Sequence, residues 1–139
     1  MDKINFQKVL TAGLAGTLAM SILMLIAPMM GMPKMDMGKM LGTMNPMMTM
    51  PYWMGWVFHF IIGIILTWLY ASFLISKLPS DSWSRGAIFG IILFLIKEIA
   101  ISPMMGVGIF DGGNMMIIMG ALLGHIVFGA VMGVVYGDG

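Results

Sequence analysis

Long apolar runs dominate the pattern of hydrophobic and polar positions along this chain. Four runs are each near the roughly 20 residues that a helix needs to cross the hydrocarbon of a bilayer. They cover Val9–Met30, Trp53–Ile75, Gly86–Met105 and Met115–Tyr136. Lipid cannot satisfy exposed backbone groups, and no ten-residue alternating segment indicates a barrel. The pattern therefore predicts an all-α membrane protein with four transmembrane helices.

Composition supports this class and narrows the chemistry. Hydrophobic residues make up 60% of the chain and charged residues only 9%, against about 25% charged in a typical soluble domain. This composition makes the lipid bilayer the expected surroundings of the chain. No basic stripe indicates binding to nucleic acid. The chain has no cysteine, which excludes disulfides and thiolate metal sites. Phosphate-binding loops, nucleophile elbows and His-Glu-x-x-His helices are also missing from the sequence, and no enzymatic reaction is assigned.

The basic residues predict an orientation. Lys3, Lys8, Lys77 and Arg85 fall on one side of a four-span topology, and Lys34 and Lys39 fall on the other. The positive-inside rule then favours cytoplasmic N- and C-termini. The long first loop, which is rich in methionine, would face outward.

An internal repeat organises the chain. A glycine-rich start, a Pro-Met-Met-Gly end, a loop and a histidine-headed helix occur in that order twice. The endings are Pro28–Gly31 and Pro103–Gly106, and the helices read HFIIGIILTWLY and HIVFGAVMGVVY, both His-x3-Gly-x6-Tyr. We expect one domain of two helical hairpins, repeat 1 at about 9–77 and repeat 2 at about 84–137, related by a pseudo-two-fold axis along the membrane normal.

The two histidines, His59 and His125, are the main candidate site. Ionisable side chains are expensive inside a membrane, and these two occupy repeat-equivalent positions in the outer half. Neutral imidazoles that meet across the axis can ligate one haem iron or share a smaller metal ion. Gly63 and Gly129, one turn below, would leave room for a porphyrin. The alternative is that the histidines are interhelical hydrogen-bond partners and the glycines serve helix packing.

A methionine-rich segment is the second candidate. Eleven of the 20 methionines fall between Met29 and Met54. Thioether sulfur suits Cu(I), so this loop could collect the ion and pass it to the histidines. The alternative is that methionine is an adaptable apolar filler of an interfacial segment. Together with His59 and His125, the predicted metal ligands are Met29, Met30, Met32, Met35, Met37 and Met40.

Charged residues near the histidines complete the candidate site. Lys97 and Glu98 interrupt the third span, and Glu98 lies at a depth comparable to the histidines. We expect Glu98 to act as a proton acceptor or to fix the tautomer of a histidine. A structural ion pair or a snorkelling Lys97 is the alternative. Asp111, within the sequence FDGGN, is interpreted as part of a turn and not as a site residue.

Four stretches resemble a known family: AGLAGTLAMSILMLIAPMMGMPKMDM, GWVFHFIIG, WSRGAIFG and GHIVFGAVMGVVYG. They are similar to small four-span bacterial membrane proteins classed as a domain of unknown function. The resemblance covers almost the whole chain and implies four spans in a bacterial inner membrane. It implies no activity, ligand or site residue.

Two function classes follow from the sequence. The first is a binding or electron-transfer protein in which His59 and His125 ligate haem b or a copper ion, with Glu98 in support. The second is an accessory subunit of a larger membrane complex, or a homo-oligomer, that binds no cofactor and uses the histidines between helices. A proton or small-solute conduit through Lys97, Glu98 and the histidines is a third hypothesis.

Overall fold

The fold is a bundle of α-helices, seen in a computed structural model that describes residues 4–43, 50–78 and 81–138. The α-helices are α1 (Phe6–Ile26), α2 (Met37–Gly42), α3 (Tyr52–Leu69), α4 (Ser82–Ile96), α5 (Ser102–Met104) and α6 (Met115–Tyr136). Turns of π-helix at Tyr70–Leu74 and Lys97–Ile101 continue α3 and α4, and 3-10 turns cover Ala27–Met30 and Ile109–Gly113. The described residues contain no strand.

Four segments are long and apolar enough to cross a membrane. They are Phe6–Met30, Tyr52–Leu74, Ser82–Met104 and Met115–Tyr136, and each overlaps one of the spans expected from hydropathy. The prediction of an all-α protein with four such helices is confirmed. Below, the loop end of the bundle is the end where residues 31–51 and 105–114 connect the spans, and the terminal end is the opposite one.

Local sequence explains where the spans begin and end. The side chain of Asn5 accepts a hydrogen bond from the backbone N–H of Lys8 and caps α1. Asn114 caps α6 in the same way, because short polar side chains satisfy the free N–H groups of a first turn. Pro28 lies in the 3-10 turn that closes the first span, and Gly31 follows it at φ 86°. That left-handed conformation stops a helix and costs glycine little.

The short helix α2 folds back onto the loop end of α3. Asp36 caps it by accepting a hydrogen bond from the backbone N–H of Lys39. The backbones of the two helices touch at Gly38 and Gly55, since a Cβ atom on Gly55 would lie 2.0 Å from the carbonyl oxygen of Gly38. Part of the methionine-rich segment is thereby held against the bundle.

The spans pack in the order α3, α1, α6, α4. The closest approach is between α4 and α6, where a Cβ on Gly86 would lie 2.0 Å from the carbonyl oxygen of Gly129. Such small-residue contacts are the usual means by which membrane helices associate. The buried core between the helices includes Val9, Tyr70, Phe89, Phe128, Met132 and Tyr136. The relation of the two hairpins by a repeat axis, and the repeat bounds, stay predictions.

By contrast, α3 and α4 contact each other only sparsely along their lengths. Their segments meet at the terminal end, where the rings of Tyr70 and Phe89 have centroids 5.3 Å apart. Nearby, Nη1 of Arg85 donates a hydrogen bond to the carbonyl oxygen of Ile75 over 2.9 Å. Towards the loop end the two helices enclose a cavity.

Candidate functional site

A cavity of about 560 Å³ lies among the four spans at the loop end. Its deepest part is formed by Thr17, Leu66, Leu93 and Phe128, one residue from each span. The segment around α2 covers it on the loop side. Most of the lining is apolar, and the polar groups are few, which is typical of a site for a small organic ligand.

Both candidate histidines line this cavity, His59 from α3 and His125 from α6. Nδ1 of His125 lies 2.7 Å from the carbonyl oxygen of Ala121, one turn earlier on the same helix. Because a carbonyl oxygen only accepts, Nδ1 carries the proton and donates it. In the neutral ring, Nε2 of His125 then holds a lone pair that can bind a metal or accept a hydrogen bond.

His59 is the more enclosed of the two, with 8% of its surface exposed. Its ring packs edge-on against Trp56 and Phe60, with centroids 5.9 Å and 6.0 Å away. Nε2 of His59 is buried and has no hydrogen-bond partner among the described residues. A buried ring nitrogen without a partner is costly, and binding a ligand would remove that cost.

A charged cluster lies at the loop end of the cavity, where the π-helical turn that begins at Lys97 meets the 3-10 turn that holds Asp111. Nζ of Lys97 donates hydrogen bonds to Oε1 of Glu98, over 2.9 Å, and to Oδ2 of Asp111. The hydroxyl of Ser102 donates to Oδ1 of Asp111 over 2.8 Å. The ammonium of Lys97 is thus shared by two carboxylates. This arrangement fits the structural ion pair that the sequence analysis gives as the alternative role of Lys97 and Glu98.

Glu98 itself is fully buried, and its Oε2 atom has no partner within the described part of the chain. Lys97, Ser102 and Asp111 line the cavity, whereas Glu98 is not part of the lining. The hydrogen bonds place Glu98 with Lys97, and they place His125 with its own helix. Direct support of a histidine by Glu98 therefore stays a prediction.

Asp111 lines the cavity, although the sequence analysis assigns it to no site. It does lie in a turn, and Phe110 and Asp111 have φ values of 51° and 47°, unusual for residues other than glycine. This backbone turns the carboxylate inward to Lys97 and Ser102. Burial acts to raise the pKa of Asp111, but the hydrogen bonds from Lys97 and Ser102 and the Lys97 charge outweigh it and lower the pKa below its usual value.

Three of the six predicted methionine ligands line the cavity: Met35, Met37 and Met40. They stand on or next to α2, which positions their thioethers on the loop side. Met20 and Met24 from α1 and Met105 after α5 also line it, although the sequence analysis did not select them. In the sequence, methionines inside an apolar span cannot be told apart from the other apolar residues that pack between helices.

The other three predicted methionines lie elsewhere. Met29 and Met30 are 86% and 72% exposed on the 3-10 turn after α1. Met32 approaches α6 near Gly120 without lining the cavity. Residues 44–49 of the methionine-rich segment lie outside the described residues.

The two candidate glycines both serve helix contacts. Gly63 lines the cavity, yet a Cβ atom there would lie 1.9 Å from Oγ1 of Thr17 on α1. Gly129 faces Gly86 on α4 and is not part of the lining. Their assignment to a ligand stays a prediction, and the geometry accounts for both through packing.

Carboxylate-rich metal chemistry finds no support in the described residues, which hold no group of three or more His, Cys, Asp or Glu side chains able to share an ion. Any metal would depend on imidazole nitrogens together with thioether sulfurs. Those ligands suit a soft ion such as Cu(I) or the iron of a haem.

Comparison with known proteins gives a family and nothing finer. The family model described as a family of unknown function, DUF6789, matches residues 5–138. No curated protein and no solved structure matches the chain.

Proposed function

We propose that this chain, which belongs to the DUF6789 family of unknown function, binds a largely apolar organic ligand at His59 and His125, and that the ligand is haem b. One observation carries the proposal: histidines from two different helices line the same largely apolar cavity of about 560 Å³. Ligand pockets for small organic molecules span about 300–1,000 Å³. A single metal ion would leave most of that volume empty.

The state of the two imidazoles supports a role for both histidines as ligands. The hydrogen bond from Nδ1 of His125 to Ala121 leaves Nε2 as the nitrogen with a lone pair. Nε2 of His59 is buried without a hydrogen-bond partner in the described chain. Neutral imidazoles are ligands that would suit a haem iron. His59 and His125 would hold the haem, and the chemistry that the group would supply is electron transfer.

The charges at the loop end set the expected orientation of the porphyrin. Lys34 lines the cavity and is exposed at its rim, where it would face the propionates. Lys97 is already shared by Glu98 and Asp111 and would contribute less. Leu66, Leu93 and Phe128 would contact the apolar edge of the ring.

Copper handling is the second candidate function. It is favoured by the thioethers of Met35, Met37 and Met40, which line the same cavity as the histidines. Thioether and imidazole ligands suit Cu(I). In this version the ion passes from the methionines of α2 to His59 and His125.

An absorbance spectrum and elemental analysis of protein purified from its native membrane test both versions. Haem b predicts a Soret band that His59→Ala and His125→Ala each abolish. The matched control is Ile61→Ala, which changes a side chain on α3 that is exposed and does not line the cavity. Copper predicts a stoichiometric metal and no Soret band. A sample with neither would refute the proposal.

The rival function is that of an accessory subunit or homo-oligomer with no cofactor. Its prediction is a stoichiometric partner, or a second copy, in the purified complex. In that case the His59→Ala and His125→Ala variants would assemble as the parent protein does.

The proposal includes a location and an orientation. The distribution of basic residues supports cytoplasmic termini, with α2 outward, and the family resemblance favours a bacterial inner membrane. Single cysteines placed at Asp138 and at Lys39 test this, because the chain has no other thiol. A membrane-impermeant reagent added to intact cells should label only the cysteine at Lys39.

A further inference from the structure

The cavity is closed on three sides by tight helix contacts, and the fourth side differs. Gly13 of α1 packs against the backbone of α3, and Gly16 of α1 packs against α6. Gly86 and Gly90 seat α4 on α6. Between α3 and α4 the contacts are sparse until the rings of Tyr70 and Phe89 meet at the terminal end.

Two isoleucines mark the rim of this open side. Ile62 on α3 and Ile96 on α4 both line the cavity, and they are also 39% and 51% exposed. A side chain that lines the cavity and is also exposed on the outer surface of the bundle lies at an opening of the cavity. The fourth side of the cavity therefore opens between these two residues.

The depth of the rim determines what lies outside it. Ile62 is ten positions from the start of α3 at Tyr52, and Ile96 is eight from the end of the span at Met104. At about 1.5 Å per residue, both lie roughly 12–15 Å below the loop end of their spans. The neighbouring exposed residues, such as Ile61, Ile65 and Leu95, are also apolar. At that depth the surroundings of a membrane-spanning bundle are hydrocarbon.

We propose that the cavity is filled from the bilayer through this opening, called here the α3–α4 portal, and that its ligand is a membrane-dissolved amphiphile with one polar end. The proposal rests on the proposed function, that the cavity binds a ligand, and it names how that ligand arrives. The charged lining lies towards the loop end, at Lys34, Lys97 and Asp111, while the deep end is formed by Leu66, Phe128 and other uncharged residues. An amphiphile that enters sideways would therefore lie with its polar end towards the loops.

A single thiol inside the cavity tests the portal without any need for haem. Ala121 lines the cavity and is 5% exposed, and the chain has no cysteine of its own. In phosphatidylcholine vesicles, Ala121→Cys is exposed to one of two methanethiosulfonates, an apolar one dissolved in the lipid or a charged, water-soluble one. We expect the lipid-dissolved reagent to react about tenfold faster.

Blocking the rim supplies the control. In the Ala121→Cys background, Ile96→Trp or Ile62→Trp should slow the lipid-dissolved reagent about tenfold. Leu95→Trp should leave the rate unchanged, because Leu95 is exposed beside the portal but does not line the cavity. An unchanged size-exclusion profile shows that each variant is folded.

The outcomes separate the portal from the proposed function. Faster labelling from water, labelling by neither reagent, or equal slowing by Leu95→Trp overturns the portal, whether or not haem is bound. Labelling from lipid that Ile96→Trp slows supports the portal even where no Soret band is found. In that event the ligand is not haem, and the only part of the proposed function that is wrong is the identity of the ligand.

Discussion

The rings of Tyr70 and Tyr136 meet edge to face, with centroids 6.1 Å apart and planes at 89°. Each tyrosine stands eleven positions after a histidine, since 70 − 59 and 136 − 125 are both 11. Eleven helical residues span about 16 Å. The two His-x3-Gly-x6-Tyr motifs therefore converge at the terminal end through their tyrosines, and at the loop end they present their histidines to one cavity.

The tyrosine contact depends on the rings and not on the hydroxyl of Tyr70. That hydroxyl is buried and has no hydrogen-bond partner among the described residues, so Tyr70→Phe should keep or slightly raise the thermal stability in detergent. Tyr70→Ala removes a fully buried ring and should cost about 3 kcal/mol in the free energy of unfolding. Equal losses in the two variants would contradict this account.

The close packing of α4 on α6 predicts that alanine substitutions at two glycines of α6 will change the free energy of unfolding by different amounts. Gly129→Ala would place a Cβ 2.0 Å from the backbone oxygen of Gly86, so the helices must separate. We expect a loss of about 1–3 kcal/mol in the free energy of unfolding. The control is Gly124→Ala, whose Cβ would meet the flexible end of Met20 at 3.2 Å and should change stability little. Denaturant titration in detergent measures both.

Hydropathy is enough to predict the four spans, and the repeated motif singles out the two histidines that line the cavity. Both depend on spacing along a single helix, which the sequence displays directly. The sequence does not predict the contact of Asp111 with Lys97, because that contact depends on a π-helical turn and on left-handed backbone conformations at Phe110 and Asp111. The sequence also does not predict that α2 packs against α3. That packing depends on a backbone contact between Gly38 and Gly55, which belong to different helices.

Removal of the Asp111 carboxylate should weaken the loop end of the bundle. Asp111→Asn leaves Lys97 with Glu98 alone and removes the charged acceptor of the Ser102 hydrogen bond. Breaking a buried pair costs about 3 kcal/mol. Asp36→Asn is the control, since asparagine caps α2 as well as aspartate does. If the two variants are equally stable, the cluster does not stabilise the fold.

The lowered pKa of Asp111 gives its ion pair a defined pH dependence. Its carboxylate releases its proton more readily in the folded chain than at the usual value of 3.8, so the folded state binds fewer protons in that range. The stabilisation is fully present above about pH 3.8 and is lost as pH falls through the lower folded pKa. The stability difference between the parent and Asp111→Asn should therefore be constant at neutral pH and shrink below 3.8. Thermal unfolding from pH 2.5 to 7 measures it, and a difference that grows on acidification would contradict the assignment.

Placement of the methionines predicts which of them affect a soft ion. Met37 lines the cavity with the histidines, whereas Met29 is 86% exposed on the 3-10 turn after α1. If the cavity holds Cu(I), Met37→Leu should weaken its affinity about tenfold, the effect of roughly 1.4 kcal/mol. Leucine keeps the apolar volume, so the fold should be unaffected.

Met29→Leu is the matched control and should bind as the parent does. Competition with a chromogenic Cu(I) chelator measures both affinities. Equal weakening by the two variants would place the ion on the exposed methionines instead of in the cavity.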